Sequence, residues 1–122
     1  MSAETCRAFF DAWNRRDIDA AVALVADDVH YDDFSFVRPH IGRDDVRALL
    51  EHVAERHPDV TFRITDVADG GATVGTHWEV LYQGRPTGRR GVSFYRFDDD
   101  DRLVWALDAA DPGPAHRTHD YH

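Results

Sequence analysis

The hydrophobic period of this chain is mainly helical before its middle and mainly two-residue after it, and that change constrains the fold more than any other feature. From Val60 to Ala109 apolar and β-branched residues recur with a period of two, broken by turn signals. The strand segments are Val60–Val67, Ala72–Gln83, Arg89–Phe97 and Arg102–Ala109. Between them stand "DGG" at Asp69–Gly71, "GRPTG", and "DDDD" at Asp98–Asp101. Before Pro58 the period is helical. Cys6, Phe9, Phe10 and Trp13 form one stripe within Glu4–Arg16. Ile18, Ala21, Val22 and Val25 form a second, with Asp17 placed as its N-cap. Val46, Leu49, Leu50 and Val53 form a third in "RDDVRALLEHVAERHP", where Asp44 and Asp45 suit the positive end of a helix. A single strand, "VHYDDF", separates the second and third helices, and "RPHIG" reads as a loop.

The predicted order is α-α-β-α-β-β-β-β. Helices in the N-terminal half followed by a strand meander specify an α+β fold. A long twisted sheet, mixed but mostly antiparallel, curls round three helices packed on its concave face. The result is a cone whose mouth the side chains do not fill, a natural place for a small-molecule pocket. One domain is expected over residues 1–111, with residues 112–122, "PGPAHRTHDYH", as a flexible tail. His116, His119 and His122 in that tail have a spacing that can ligate a transition metal. An unstructured terminus outweighs that reading, so neither a metal nor a cofactor is expected.

Charge narrows the partners. The net charge is −9, and all 14 basic residues are Arg. Nucleic acid and anionic membrane surfaces both require a positive footprint and are excluded as partners. No apolar run is long enough for a membrane span. "MSAETCRAFF" has no basic region followed by an apolar core, so no export signal is expected. With a lone Cys6 there is no internal disulfide, and a cytoplasmic setting is the expectation.

The candidate chemistry lies in "VADDVHYDDFSF", Val25 to Phe36, which packs four aspartates and three aromatic rings into twelve residues. Asp27 and Asp28 read as a turn after the second helix. Strand parity puts His30 and Asp32 on one face and Tyr31 and Asp33 on the other. Asp33 either caps the turn before Phe34 or faces an apolar pocket as a base. On the second hairpin strand, His77 and Glu79 share one face. Val74, Thr76, Trp78, Val80 and Tyr82 share the other, which is more apolar. His77 and Glu79 therefore either line the pocket or look outward. On the last strand, Leu103, Trp105 and Leu107 face one way and Val104, Ala106 and Asp108 the other. Apolar residues on both faces imply that a second subunit covers the outside, so a homodimer is expected.

Three segments carry a family resemblance: "AWNRRDIDAAVALVADDVHYDD", "IGRDDVRALL" and "GVSFYRFDDDDRLVWALD". Together they resemble the nuclear-transport-factor-two-like superfamily, which includes ketosteroid isomerase, limonene epoxide hydrolase and the SnoaL-like polyketide cyclases. The resemblance to ketosteroid isomerase implies a general base at Asp33. It puts Phe9 and Ser93 where that enzyme has its two oxyanion donors, and Phe9 cannot donate. The resemblance to limonene epoxide hydrolase implies a water-holding Tyr at Tyr31. It puts Asp33 at the Asn position, His77 at the Arg position, and Glu79 and Asp108 at the two Asp positions. The resemblance to SnoaL-like cyclases implies an acid/base Asp at Asp108.

These readings give Asp33, Asp108 and Tyr31 as catalytic candidates. Trp13, Phe9, Phe34, His77, Glu79, Ser93, Tyr95 and His40 are the substrate-binding candidates. For Trp13, Phe9 and Tyr95 a plain core role stands beside the binding role. The expected function is isomerisation, cyclisation or epoxide opening of a small apolar organic molecule by carboxylate acid/base catalysis. The alternative is a non-catalytic ligand-binding or dimeric assembly module of the same fold.

Overall fold

The computed structural model describes residues 2–113. Its elements are α1 (Ser2–Asn14), α2 (Ile18–Ala23), β1 (Val25–Asp33), β2 (His40–Ile41), α3 (Arg43–Arg56), β3 (Val60–Asp69), β4 (Thr73–Tyr82), β5 (Arg85–Phe97) and β6 (Leu103–Ala110). They build the expected α+β cone, three helices against one curled, open sheet. The strand order is β2-β1-β6-β5-β4-β3. Every neighbouring pair is antiparallel except β1 and β6, which run parallel. His116, His119 and His122, and with them nearly all of the tail expected over 112–122, lie outside the described residues. Among the described residues no helix is long and apolar enough to cross a membrane.

The helices form where the stripes predict, except that Val25, expected on the α2 stripe, begins β1. Cys6, Phe9, Phe10 and Trp13 are the buried side of α1. The α1–α2 corner is set by Arg16, which has a positive φ of 59°, and by Asp17, whose carboxylate accepts from Ala20 N at 3.1 Å as an N-cap. The Arg16 guanidinium lies 4.2 Å over the Trp13 ring and donates to the carbonyls of His57, Pro58 and Val60. One side chain thus ties the helical corner to the turn entering β3. Asn14 does similar work on the sheet edge. Its Nδ2 donates to Phe62 O at 2.8 Å and its Oδ1 accepts from Phe62 N at 3.0 Å, standing in for a strand neighbour of β3.

Four local expectations need correction. "RPHIG" is not wholly loop: His40–Ile41 pairs with Tyr31 and His30 as a short edge strand, giving the sheet six strands. Asp27 and Asp28 belong to β1, not to a turn. The pairing of β1 with β6 is irregular between Val25 and His30, which frees this acidic stretch to face water and Asp27 to meet Arg43 at 2.8 Å. The β4–β5 turn is not "GRPTG" but Gln83–Gly84. Both residues have positive φ, 50° and 76°, as a two-residue hairpin loop requires. The parity assumed along the last strand also breaks. Leu103 pairs with Phe97 and Trp105 with Arg96, so Val104 is an extra, bulged residue. Leu103 therefore enters the core while Trp105 faces outward, stacked with His30 and edge-on to Phe94.

Candidate active site

Cross-strand register assembles the site. Asp33, Asp108, Ser93 and Thr76 stand side by side across β1, β6, β5 and β4. One row deeper are Tyr31, Ala106, Tyr95 and Val74, all buried. One row toward the mouth are Ala110, Gly91 and Trp78. From these rows Asp33, Asp108, Ser93, Tyr31, Tyr95, Ala110 and Trp78 line a cavity of about 290 Å³. Phe9, Phe10 and Trp13 from α1, Leu49, Leu50 and Val53 from α3, and Phe36, Phe62 and Val80 complete a mainly apolar wall.

Asp108 is the centre of the polar floor. Its Oδ2 accepts a short hydrogen bond from the Tyr31 hydroxyl. Its Oδ1 accepts from Ser93 Oγ at 2.5 Å and from the Tyr95 hydroxyl at 3.1 Å. Ser93 Oγ in turn accepts from Trp78 Nε1 at 2.8 Å. Because the indole occupies the Ser93 oxygen, the single Ser93 hydrogen is committed to Asp108. The indole reaches Ser93 only because residue 91 is glycine. A Cβ there would sit 2.3 Å from Trp78 Cη2 and 2.7 Å from Ala109 O.

Removal from water raises the Asp108 pKa from 3.8 to about 6. The hydroxyls of Ser93, Tyr31 and Tyr95 hold it down from a larger rise, and the neighbouring charge of Asp33 pushes it further up. The phenols of Tyr31 and Tyr95 lie well above their ordinary value, first through burial and then through the Asp108 charge. Both therefore stay protonated and remain donors. Cys6, buried beneath, is pushed up to about 12 by burial and then by Asp108, with Arg7 opposing. A thiol in that state is not a nucleophile.

Of the predicted residues, the structure brings Asp33, Asp108, Tyr31, Ser93, Tyr95, Trp13 and Phe9 to one cavity. Asp33 combines both positions foreseen for it. It lines the cavity, and its Oδ1 also accepts from Ser35 N at 2.9 Å in the turn that follows β1. Four candidates fall elsewhere. Phe34 lies past the end of β1, is 61% exposed and points to the outer face, so Phe36 takes the lining position. His77 and Glu79 occupy the outer face of β4, His77 against Thr65 and Asp66 and Glu79 paired with Arg63. The alternation that sends Thr76 and Trp78 inward requires this. His40 packs edge-on against Phe36 at 5.3 Å, behind the cavity wall rather than on it.

Sequence reasoning missed Phe36, Phe62, His57 and Arg89. Arg89 was legible in principle, because it shares parity with Gly91, Ser93 and Tyr95. Among the described residues no group of three His, Cys, Asp or Glu side chains is arranged to hold a metal ion.

Comparison with known proteins agrees with this architecture. No functionally curated protein matches the sequence. A SnoaL-like protein of unknown function from Burkholderia thailandensis superposes with a TM-score of 0.78 at 24% identity, over 90% of this chain and 94% of that one. An isomerase of the SnoaL-like family from Agrobacterium tumefaciens, so assigned provisionally, gives 0.77 at 15% identity over 90% and 97%. IdmH of Streptomyces antibioticus, provisionally a polyketide cyclase, gives 0.75 at 19% over 91% and 92%. At these identities the likeness establishes the fold and leaves the reaction open. The profile of the SnoaL-like domain matches residues 6–106. The chain belongs to that SnoaL-like family, within the nuclear-transport-factor-two-like superfamily.

Proposed function

We propose that this protein is an acid/base enzyme that moves a proton on a small, largely apolar molecule, using its own side chains. An isomerisation, a cyclisation or an epoxide opening fits this description. The observation that carries the reading is Asp108: a carboxylate on the floor of an apolar cavity, held by three hydroxyls, with its pKa lifted to about 6. A group in that range exchanges protons readily near neutral pH. This supports Asp108 as the proton acceptor and later donor. Asp33, beside it in register, serves as the second carboxylate, raising the basicity of Asp108 and orienting water or substrate. Tyr31 fixes the rotamer of Asp108.

One observation favours a second reading, a ligand-binding module without turnover. Phe9 replaces a donor, and the three hydroxyl hydrogens are already spent on Asp108, so none is left for a developing oxyanion.

Deuterium exchange into 2-tetralone, followed by NMR, separates the two. The enzyme reading expects the protein to accelerate exchange and Asp108→Asn to lower that acceleration roughly 100-fold or more. It also expects the rate to rise with pH through about 6 as Asp108 ionises. Parallel hydrolysis of styrene oxide covers the epoxide case. Equal rates with and without the Asp108 carboxylate would leave the binding module.

A further inference from the structure

The donors and acceptors around the cavity are not distributed evenly, and their distribution assigns a ligand. At the closed end the polar hydrogens nearest Asp108 are all committed. The hydroxyls of Tyr31, Ser93 and Tyr95 each have one hydrogen, and all three point at Asp108. The indole hydrogen of Trp78 is on Ser93. A carboxylate offers about four acceptor positions. Ser93 and Tyr95 fill Oδ1 and Tyr31 takes half of Oδ2, so one position on Oδ2 stays open. The phenol oxygens keep acceptor capacity as well. Two further donors, Trp13 Nε1 and Thr76 Oγ1, lack partners, but both atoms are enclosed by protein and present nothing to the cavity. To a ligand, the closed end is thus a surface of acceptors while Asp108 is ionised.

The mouth has the opposite character. Arg89 is exposed, lines the cavity, and among the described residues is the only Lys or Arg that does so. Among the described residues its guanidinium has no ion pair and no hydrogen bond. Its neighbours Arg63 and Arg90 are engaged, with Glu79 and Asp111. His57 and Ser35 add further donor capacity at the same rim. Arg89 and Ser93 lie on one face of β5, and four residues of strand separate them by about 13 Å. Both side chains lean into the cavity, so a rigid two-ring body spans the interval between guanidinium and Asp108.

We infer that the cavity takes a compact apolar acid with a hydrogen-bond donor at its inner end: a hydroxyl directed at Asp108 and a carboxylate held by Arg89. This deepens the acid/base reading, since a hydroxyl held on Asp108 Oδ2 fixes the ligand within reach of the proposed proton acceptor. It rests on the same cavity but not on turnover. A methoxy oxygen in place of that hydroxyl would set its lone pairs against those of Asp108, and the cavity discriminates against it. The protein's net charge of −9 repels anions at long range, which leaves the carboxylate dependent on the local guanidinium.

The test is calorimetric binding at pH 7.5 of three matched probes: 6-hydroxy-2-naphthoate, 6-methoxy-2-naphthoate and 6-hydroxy-2-naphthamide. The hydroxy acid is expected to bind about tenfold to a hundredfold more tightly than either analogue. Arg89→Gln is expected to remove the preference for carboxylate over amide and to keep the preference for hydroxyl over methoxy. Asp108→Asn is expected to shrink the hydroxyl preference and keep the carboxylate preference. Equal affinity for the methoxy acid, equal affinity for the amide, or an Arg89→Gln profile like the parent's would overturn the assignment, as would the absence of binding by all three. The outcome is separable from the acid/base reading, because Asp108→Asn in the exchange assay decides that one without these ligands.

Discussion

Asp108 links the stability of the fold to pH in a direction opposite to most structural carboxylates. Its folded pKa of about 6 lies above the unfolded value of 3.8, so between those values the folded chain holds the proton and the unfolded chain does not. The group favours folding fully below 3.8, and that contribution is lost as pH rises through about 6. The whole interval amounts to about 3 kcal/mol. Asp108→Asn has no such dependence. In urea denaturation it is expected to gain about 2–3 kcal/mol on the parent between pH 4 and pH 7.5. A pH-independent difference would mean that the carboxyl is not desolvated. Cys6 yields a second prediction at this scale. Its thiol, 1% exposed and pushed up to about 12, is expected to react with a disulfide reagent at pH 8 at least 100-fold more slowly in the native protein than in urea. Fast native labelling would contradict the packing of α1 on the floor of the cavity.

Strand β5 concentrates the constraints at the next scale. Gly91 is there because the Trp78 indole crosses it, and the indole is there to hold Ser93. Gly91→Ala drives a methyl against both the ring and the Ala109 carbonyl, and the carbonyl belongs to the sheet and cannot yield. The expected loss is about 2–4 kcal/mol in denaturant unfolding, with an altered Trp emission spectrum. A loss under half a kcal/mol would show that the ring moves aside freely. Such constraints also explain which elements the sequence revealed. The stripes of α1 and α3 and the alternation of β4 over Val74–Trp78 and of β5 over Gly91–Phe97 follow local periodicity, and they appear as expected. The β1 segment around Asp27, the His40–Ile41 strand and the Val104 bulge depend on register with a distant partner, and no local pattern carries that. The same division runs through the site. Parity sent Asp33, Tyr31, Ser93 and Tyr95 inward correctly, because it needs only one strand. Phe34 failed because the strand ends before it, and Arg89 was passed over although it stood in the expected strand with the parity of Gly91, Ser93 and Tyr95.

For the whole molecule, the convex face of the sheet is the feature without an internal partner. Val92 is 52% exposed, Phe94 38% and Phe34 61%. Arg96 lies over the rings of Phe94 and Trp105 on the same face. We propose that a second copy of the chain covers it, as alternating apolar residues on both faces of β5 and β6 suggest. Sedimentation equilibrium is expected to give twice the chain mass, and Val92→Glu with Phe94→Glu to give a folded monomer. A monomeric parent at micromolar concentration would end the proposal.

The parallel pairing of β1 with β6 has a consequence for how the chain comes into being. The neighbours β3 to β6 join through short turns and can pair as soon as they are made. Apart from its short pairing with β2, β1 has to wait for Leu103–Ala110, because its parallel partner is β6. Tyr31 and Asp108, which share a hydrogen bond, lie 77 residues apart. Non-local contacts of this kind form late and slowly. Until β6 docks beside β1 the cavity has no polar floor, and Asp108 remains in water. The candidate site is the closing joint of the molecule, and its completion coincides with the completion of the fold.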